Sequence, residues 1–170
     1  MGLRSWFGRK RDVADVAPVP PAPTEDDILA ALERVDTMLR EANAPPVVTS
    51  RVDRISRTIR DTLPRLRNLG MGSLDAYSVV ATATDYLPEA VGGYLRLPRD
   101  WADTRPIDGY KTSLMVLVDQ LELLAATMLK ILDAATRADA QALLAHGRFL
   151  DAKFGAASTG GPDLTLGPAT

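Results

Sequence analysis

The 170-residue sequence contains no cysteine. Disulfides, thiolate metal sites, cysteine nucleophiles and dithiol redox motifs are therefore excluded. It has one histidine, His146. That is too few for any site built on two imidazoles, the HExxH zinc hydrolases included. Aromatic residues make up only 5%, which disfavours a base-stacking platform or a large aromatic ligand pocket. No uncharged apolar run reaches the ~18 residues a membrane span requires. The longest apolar stretch, Leu114 to Leu129, is interrupted by Asp119 and Glu122. Formal net charge is −2, so no strong overall field draws the chain to nucleic acid. Neither a Gly-rich phosphate loop nor a G-x-S-x-G nucleophile elbow is found.

What is there reads as one globular unit: 46% of residues are hydrophobic and 25% charged. Sixteen arginines against four lysines, with 24 alanines, reflect the coding bias of a high-GC bacterium more than mechanism. The basic N-terminus lacks the apolar core of a secretory signal, which makes cytoplasmic residence the default.

The chain divides into three parts. Residues 1–23 are expected to be a disordered basic-aromatic tip followed by a proline-rich linker. Pro18, Pro20, Pro21 and Pro23 favour extended polyproline II and forbid helix. Residues 24–155 are expected to form a helical domain, and residues 156–170 a disordered tail.

Five helices are predicted within the domain. The first follows Thr24, with Glu25, Asp26 and Asp27 at the positive end of its dipole. Its stripe is Ile28, Leu32, Val35 and Leu39, and Pro45-Pro46 ends it. The second follows Thr49-Ser50 on Val52, Ile55, Ile59, Leu63 and Leu66, with Pro64 kinking or ending it near Thr62–Leu63. The third begins after Ser73, presents Tyr77, Val80, Ala81, Thr84 and Leu87 on one face, and is kinked at Pro88. Residues 98–108 are a connection. The fourth, from Tyr110 through Leu132, is apolar on both faces and is expected to sit centrally. The fifth follows Thr136 on Leu143, Leu150 and Phe154, with Phe149 beside the stripe. The fold class is all-α, a bundle of helices three, four and five with the first two packed on it.

The search for chemistry yields no catalytic residue, metal site or cofactor. Asp100, Asp103 and Asp108 read as a solvated, helix-capping loop, with an acidic metal or acid/base site as the sharper alternative. His146, with Asp139 on its face, offers too few ligands for a transition metal. The second helix carries Arg51, Arg54, Arg57, Arg60, Arg65 and, beyond it, Arg67. Asp53, Arg57, Asp61 and Arg65, each four apart, read as a ladder of opposite charges on a solvated face. Arg51, Arg54, Arg60 and Arg67 are the candidates for gripping an anion or an acidic partner, the first helix among them. In the tip, Leu3, Trp6 and Phe7 stand among Arg4, Arg9, Lys10 and Arg11. That mixture suits weak, salt-sensitive contact with an anionic bilayer.

The stretch Asp85-Tyr86-Leu87-Pro88, then Tyr94-Leu95 and a long apolar helix, resembles the XpaC-like family. Its members are called indolyl-phosphate hydrolysis proteins and are grouped with toxic-anion (tellurite) resistance proteins. The similarity covers about residues 74–155 and rests on Tyr86, Leu87, Pro88 and Tyr94. The chain departs from the family in lacking N-terminal membrane-spanning helices, for which the Trp-Phe-Arg tip would be a weaker substitute. The resemblance implies a helical accessory protein in toxic-anion or envelope stress; no hydrolytic role can be assigned to any residue.

The leading expectation is a non-enzymatic scaffold or adaptor that binds another protein and touches the inner membrane face peripherally, with homo-oligomerisation left open. Two alternatives compete with it. One is a phosphate-ester hydrolase in which arginines such as Arg60 and Arg67 hold the anion and aspartates hold Mg²⁺. The other is a nucleic-acid-binding module using the second helix. Convergence of the arginine face with Asp100, Asp103 and Asp108 would favour the enzyme.

Overall fold

A computed structural model describes residues 23–66 and 73–155. The architecture is all-α. Helix α1 spans Glu25–Glu41 and α2 spans Pro46–Thr62. Helix α3 (Leu74–Ala81) runs through a π-helical turn (Thr82–Tyr86) into α4 (Leu87–Leu95), and the three make one rod. A short α5 (Arg99–Thr104) and a small hairpin of β1 (Pro106–Asp108) and β2 (Lys111–Thr112) lead into α6, Ser113–Phe154. Among the described residues, no helix is long and apolar enough to cross a membrane.

Local chemistry sets the element ends. Thr24 caps α1 in a reciprocal box: its hydroxyl accepts from the Asp27 amide while the Asp27 carboxylate accepts from the Thr24 amide. Asn43, in the left-handed region at φ 47°, turns the chain. Helix α2 starts at Pro46, earlier than expected, because proline's fixed φ and missing N–H suit the first helical position. It ends at Thr62, followed by a 3₁₀ turn at Leu63–Arg65 around Pro64, as expected. The kink at Pro88 takes the form of the π turn. The Leu87 amide donates to the Thr82 carbonyl five residues back, so the ladder is widened just ahead of the proline. Gly109, at φ 58°, makes the hairpin turn between Asp108 and Lys111.

Helix α1 packs on α2 and on the rod, and α6 packs on the same two. Directions follow from paired residues. Arg51 and Arg54 meet Glu122, and Arg65 meets Asp139, so α2 and α6 run parallel. Met38 approaches Gly92 and Arg99 reaches Ala42, so α1 and the rod also run parallel. The core gathers Ile28, Leu32 and Val35 of α1, Val52, Ile55 and Ile59 of α2, Val79, Leu87 and Val91 of the rod, and Leu117, Leu121 and Met128 of α6.

Four expectations need correction. The predicted fourth and fifth helices are one 42-residue helix. Thr136 does not cap a new helix; its hydroxyl donates to the Leu132 carbonyl, and no glycine or proline interrupts the ladder there. The helix begins at Ser113 under the cap of Thr112, because residues before it form the hairpin; Tyr110 is exposed. Of the face expected for the third helix, Ala81 and Leu87 are buried and Val80 and Thr84 half-buried, but Tyr77 is exposed, and Ala76, Val79, Thr82 and Ala83 complete the buried face, since the π turn shifts the register. Finally, Leu143, Leu150 and Phe154 are exposed. The C-terminal part of α6 outruns the shorter helices and joins no bundle, so the core is built from α1, α2, the rod and the first half of α6.

Two substitutions separate these readings in urea denaturation. Thr112→Ala removes a working cap and costs about 1 kcal/mol, whereas Thr136→Ala leaves stability within about 0.5 kcal/mol of wild type. Leu121→Ala, in the centre of the core, costs about 2–5 kcal/mol.

Candidate functional site

The α2 arginines come first. Arg51 Nε lies 2.8 Å and Arg54 Nη2 2.6 Å from the two carboxylate oxygens of Glu122 on α6. Arg60 Nη2 lies 3.4 Å from Glu33 and 3.8 Å from Asp36 on α1. Arg65 Nε lies 3.1 Å from Asp139. The expected ladder along α2 is not what forms. Arg57 Nε and Arg65 Nη1 donate to the backbone carbonyls of Asp53 and Asp61, not to their carboxylates. These arginines tie α2 to its neighbours, the first helix being one of the acidic partners foreseen. Arg67 lies outside the described residues, as do Leu3, Arg4, Trp6, Phe7, Arg9, Lys10 and Arg11.

Electrostatics follow the pairing. The hydrogen bond from Arg54, reinforced by the charges of Arg54 and Arg51, holds the Glu122 carboxyl below its usual range. Burial raises Asp36, and the Arg60 charge opposes that rise. Among the described residues, no group of three or more acids and histidines is placed to hold a metal ion.

The motif residues divide by exposure. Leu87 is fully buried, Pro88 sits in the first turn of α4, and Tyr86 is exposed. Tyr94 is buried, and its hydroxyl donates to Asp103 Oδ1 at 2.7 Å. The Arg99 guanidinium lies 5.6 Å over the Tyr94 ring and donates to the carbonyls of Ala42 and Asn43. Tyr94 thus holds α5 against α4, and Arg99 ties α5 to the end of α1. Burial first, and then the bond to Asp103, push its hydroxyl up to about 12. The structure brings Asp103 to Tyr94 and the α2 arginines to Glu33, Asp36, Glu122 and Asp139. It does not gather Asp100, Asp103 and Asp108 around the arginine face.

Two surfaces remain, and sequence reasoning singled out neither. A groove of about 590 Å³ runs between α4 and α6, which are antiparallel along it. Ala90, Gly93 and Leu97 form one wall and Val116, Leu117, Gln120 and Leu124 the other. Tyr86, Ile107 and Leu123 are exposed at its rim, Leu123 by 69%. Glu89 and Arg96 give the α4 side opposite charges, with the Arg96 guanidinium folded back beside Gly92 and Gly93. The second surface is the far end of α6. Leu143 is 71% exposed, Leu144 62% and Phe154 58%; Phe149 and Leu150 are exposed too. His146 stacks on Phe149, and Lys153 lies over both Phe149 and Phe154. The signal for this surface was length: helices of 17 residues cannot cover one of 42.

No family model matches the chain, and no curated protein or solved structure is significantly similar to it.

Two pH dependences follow. Tyr94 has its hydroxyl raised in the folded state from an ordinary 10.0 to about 12. Its contribution to stability is therefore complete below pH 10 and is lost as pH rises from 10 towards 12. Tyr94→Phe removes that dependence in alkaline urea titrations and costs about 1 kcal/mol at neutral pH. Glu122 has the opposite sign. Its contribution is present above its ordinary 4.5 and disappears as pH falls through the lower folded value. Glu122→Gln lowers neutral-pH stability and flattens the acid limb of the curve.

Proposed function

We propose that this chain is a non-enzymatic helical scaffold that holds another protein in the groove between α4 and α6. The observation that carries the reading is the groove itself: an apolar floor between two antiparallel helices, with exposed Tyr86, Ile107 and Leu123 at its rim. Such a trough suits an amphipathic helix lying along it. The occupant is a helix of a different protein, apolar on one face, with a basic residue near Glu89 and an acidic one near Arg96. The internal pairing of the α2 arginines supports contact through apolar surface over capture of phosphate. The XpaC-like pattern at Tyr86, Leu87, Pro88 and Tyr94 supports placing the scaffold in toxic-anion (tellurite) or envelope stress. The basic-aromatic composition of residues 1–11 supports peripheral contact with the inner membrane face.

Leu123→Glu changes an exposed side chain and leaves thermal unfolding unchanged. A photocrosslinker placed at Gly93 captures a partner in the wild-type background and loses it with Leu123→Glu. Equal capture by both proteins rejects the groove. The same substitution fails to restore tellurite tolerance to a strain lacking the gene, whereas the wild-type gene restores it. Flotation with phosphatidylserine vesicles tests the membrane contact: the full chain binds at low salt and releases at high salt. Absence of binding at low salt removes that part of the reading.

A further inference from the structure

The far end of α6 presents a surface that the groove does not explain. Ala135 is the last fully buried residue of the helix, and Arg65–Asp139 is the last ion pair found between α6 and the body. Beyond it the helix continues to Phe154, with every residue from Ala140 exposed except half-buried Gly147. One face of this segment carries Thr136, Ala140, Leu143, Gly147, Leu150 and Phe154. The steps alternate between four and three residues, the spacing of a coiled-coil seam.

We infer that this face pairs with the same face of a second copy, antiparallel, with the two-fold axis level with Ala145. The alternating spacing reads the same from either end, so it can meet itself reversed. In that register Leu143 lies opposite Gly147 of the second copy, Ala140 opposite Leu150, and Thr136 opposite Phe154. Each level sets a large side chain against a smaller one, as dense packing requires. Gly147 has no neighbouring atom within 4 Å of where a Cβ would stand, so its level is open to an incoming leucine. A parallel pair would instead set Phe154 on Phe154 and Gly147 on Gly147.

The flanks agree with the reversed register. One flank carries Arg137, Leu144 and Asp151, and the other carries Asp139, His146 and Lys153. In an antiparallel pair each flank meets its own counterpart. Arg137, paired with Asp133 in its own helix, then faces Asp151 of the second copy, and Asp139, held by Arg65 in its own body, faces Lys153. Leu144 faces Leu144 close to the axis. All four charged contacts join opposite signs. The reach fits as well. Ala135, the last fully buried residue of one α6, comes level with Gly155 of the other chain, the C-cap of its α6. The segments therefore overlap from Thr136 to Phe154. The 19 shared residues span about 28 Å, enough for a compact, concentration-dependent interface.

Sedimentation equilibrium of the full chain, from low micromolar upward, is expected to show a mass rising to twice 18.3 kDa. Leu143→Glu with Leu150→Glu gives a single-chain mass with unchanged helical circular dichroism. Arg137→Asp weakens association about fivefold, since symmetry makes each substitution strike two pairs. Adding Asp151→Arg to it restores the wild-type affinity. The chain lacks cysteine, so Leu144→Cys supplies one thiol near the axis. A short bis-maleimide joins two copies through it, and does not join copies carrying Ala126→Cys instead. Groove variant Leu123→Glu leaves the mass unchanged, which separates this inference from the proposed scaffold function. A single-chain mass at every concentration overturns the inference. So does a dimer that survives the Leu143/Leu150 double substitution, or a charge reversal without rescue.

Discussion

The seam between α2 and α6 is the constraint on which the rest of the molecule depends. Val48, Val52, Ile55 and Ile59 on one side, and Leu117, Leu121, Ala125 and Met128 on the other, are all essentially inaccessible to water. At about 25 cal/mol per Å² of apolar area, burying such side chains outweighs any surface ion pair in this fold. Because the two helices run parallel, the chain must travel back along the bundle between them. The rod makes that return, which places it antiparallel to α6 and sets α4 beside α6 along the groove. Arg51, Arg54 and Glu122 near one end of the seam, and Arg65 with Asp139 at the other, fix which residues face each other. Their role is register more than adhesion.

Polar groups within this apolar frame are mostly satisfied locally. Thr58, Thr62 and Thr82 are buried, and their hydroxyls donate to the carbonyls of Arg54, Thr58 and Ser78 one turn back. Ser56 and Ser113 are buried with hydroxyl oxygens that find no partner within the described residues. An unsatisfied buried hydroxyl costs about 1–3 kcal/mol, so both positions tolerate a defect that alanine would remove. At Pro88 the backbone faces a comparable difficulty, since the ring cannot donate to the preceding turn. The π turn ahead of it absorbs the mismatch without breaking the rod, and it leaves Leu87 buried while Tyr86 points outward.

Much of the fold is legible in the residues themselves. Thr24 with Asp27, the stripe Ile28-Leu32-Val35-Leu39, and the stop at Pro64 follow directly from capping, period and missing N–H groups. Where sequence reasoning departs from the structure, a single residue type has two uses. Thr136 has the chemistry of a cap, yet a threonine hydroxyl can equally donate to the carbonyl one turn back, and the absence of glycine or proline nearby decides for the latter. Tyr77 fits a 3.6-residue stripe that the extra residue of a π turn displaces. The arginines of α2 have the spacing of a ladder, but carboxylates on other helices compete for them, and only tertiary packing reveals Glu122, Glu33 and Asp36. The groove was hidden for the same reason: Gly93 and Leu97 are distant in sequence from Leu123, and each is unremarkable singly.

The length of α6 connects these points. A helix of 42 residues rises about 63 Å, and one of 17 residues only about 26 Å. No arrangement of α1, α2 and the rod could cover such a helix from end to end. If the excess were only a frayed extension, polar residues would cover it, since exposed leucine and phenylalanine favour aggregation. Instead it carries Leu143, Leu150 and Phe154 along one side, interleaved with Ala140 and Gly147 and edged by charges of both signs. That pattern is the one from which the pairing with a second copy is inferred. Joining two chains there would carry their grooves to opposite ends of one elongated rod, so that a partner held by one copy stands well away from a partner held by the other. In this arrangement the excess length of α6 sets the separation between the two grooves, and the α2–α6 seam sets how rigidly each groove is carried.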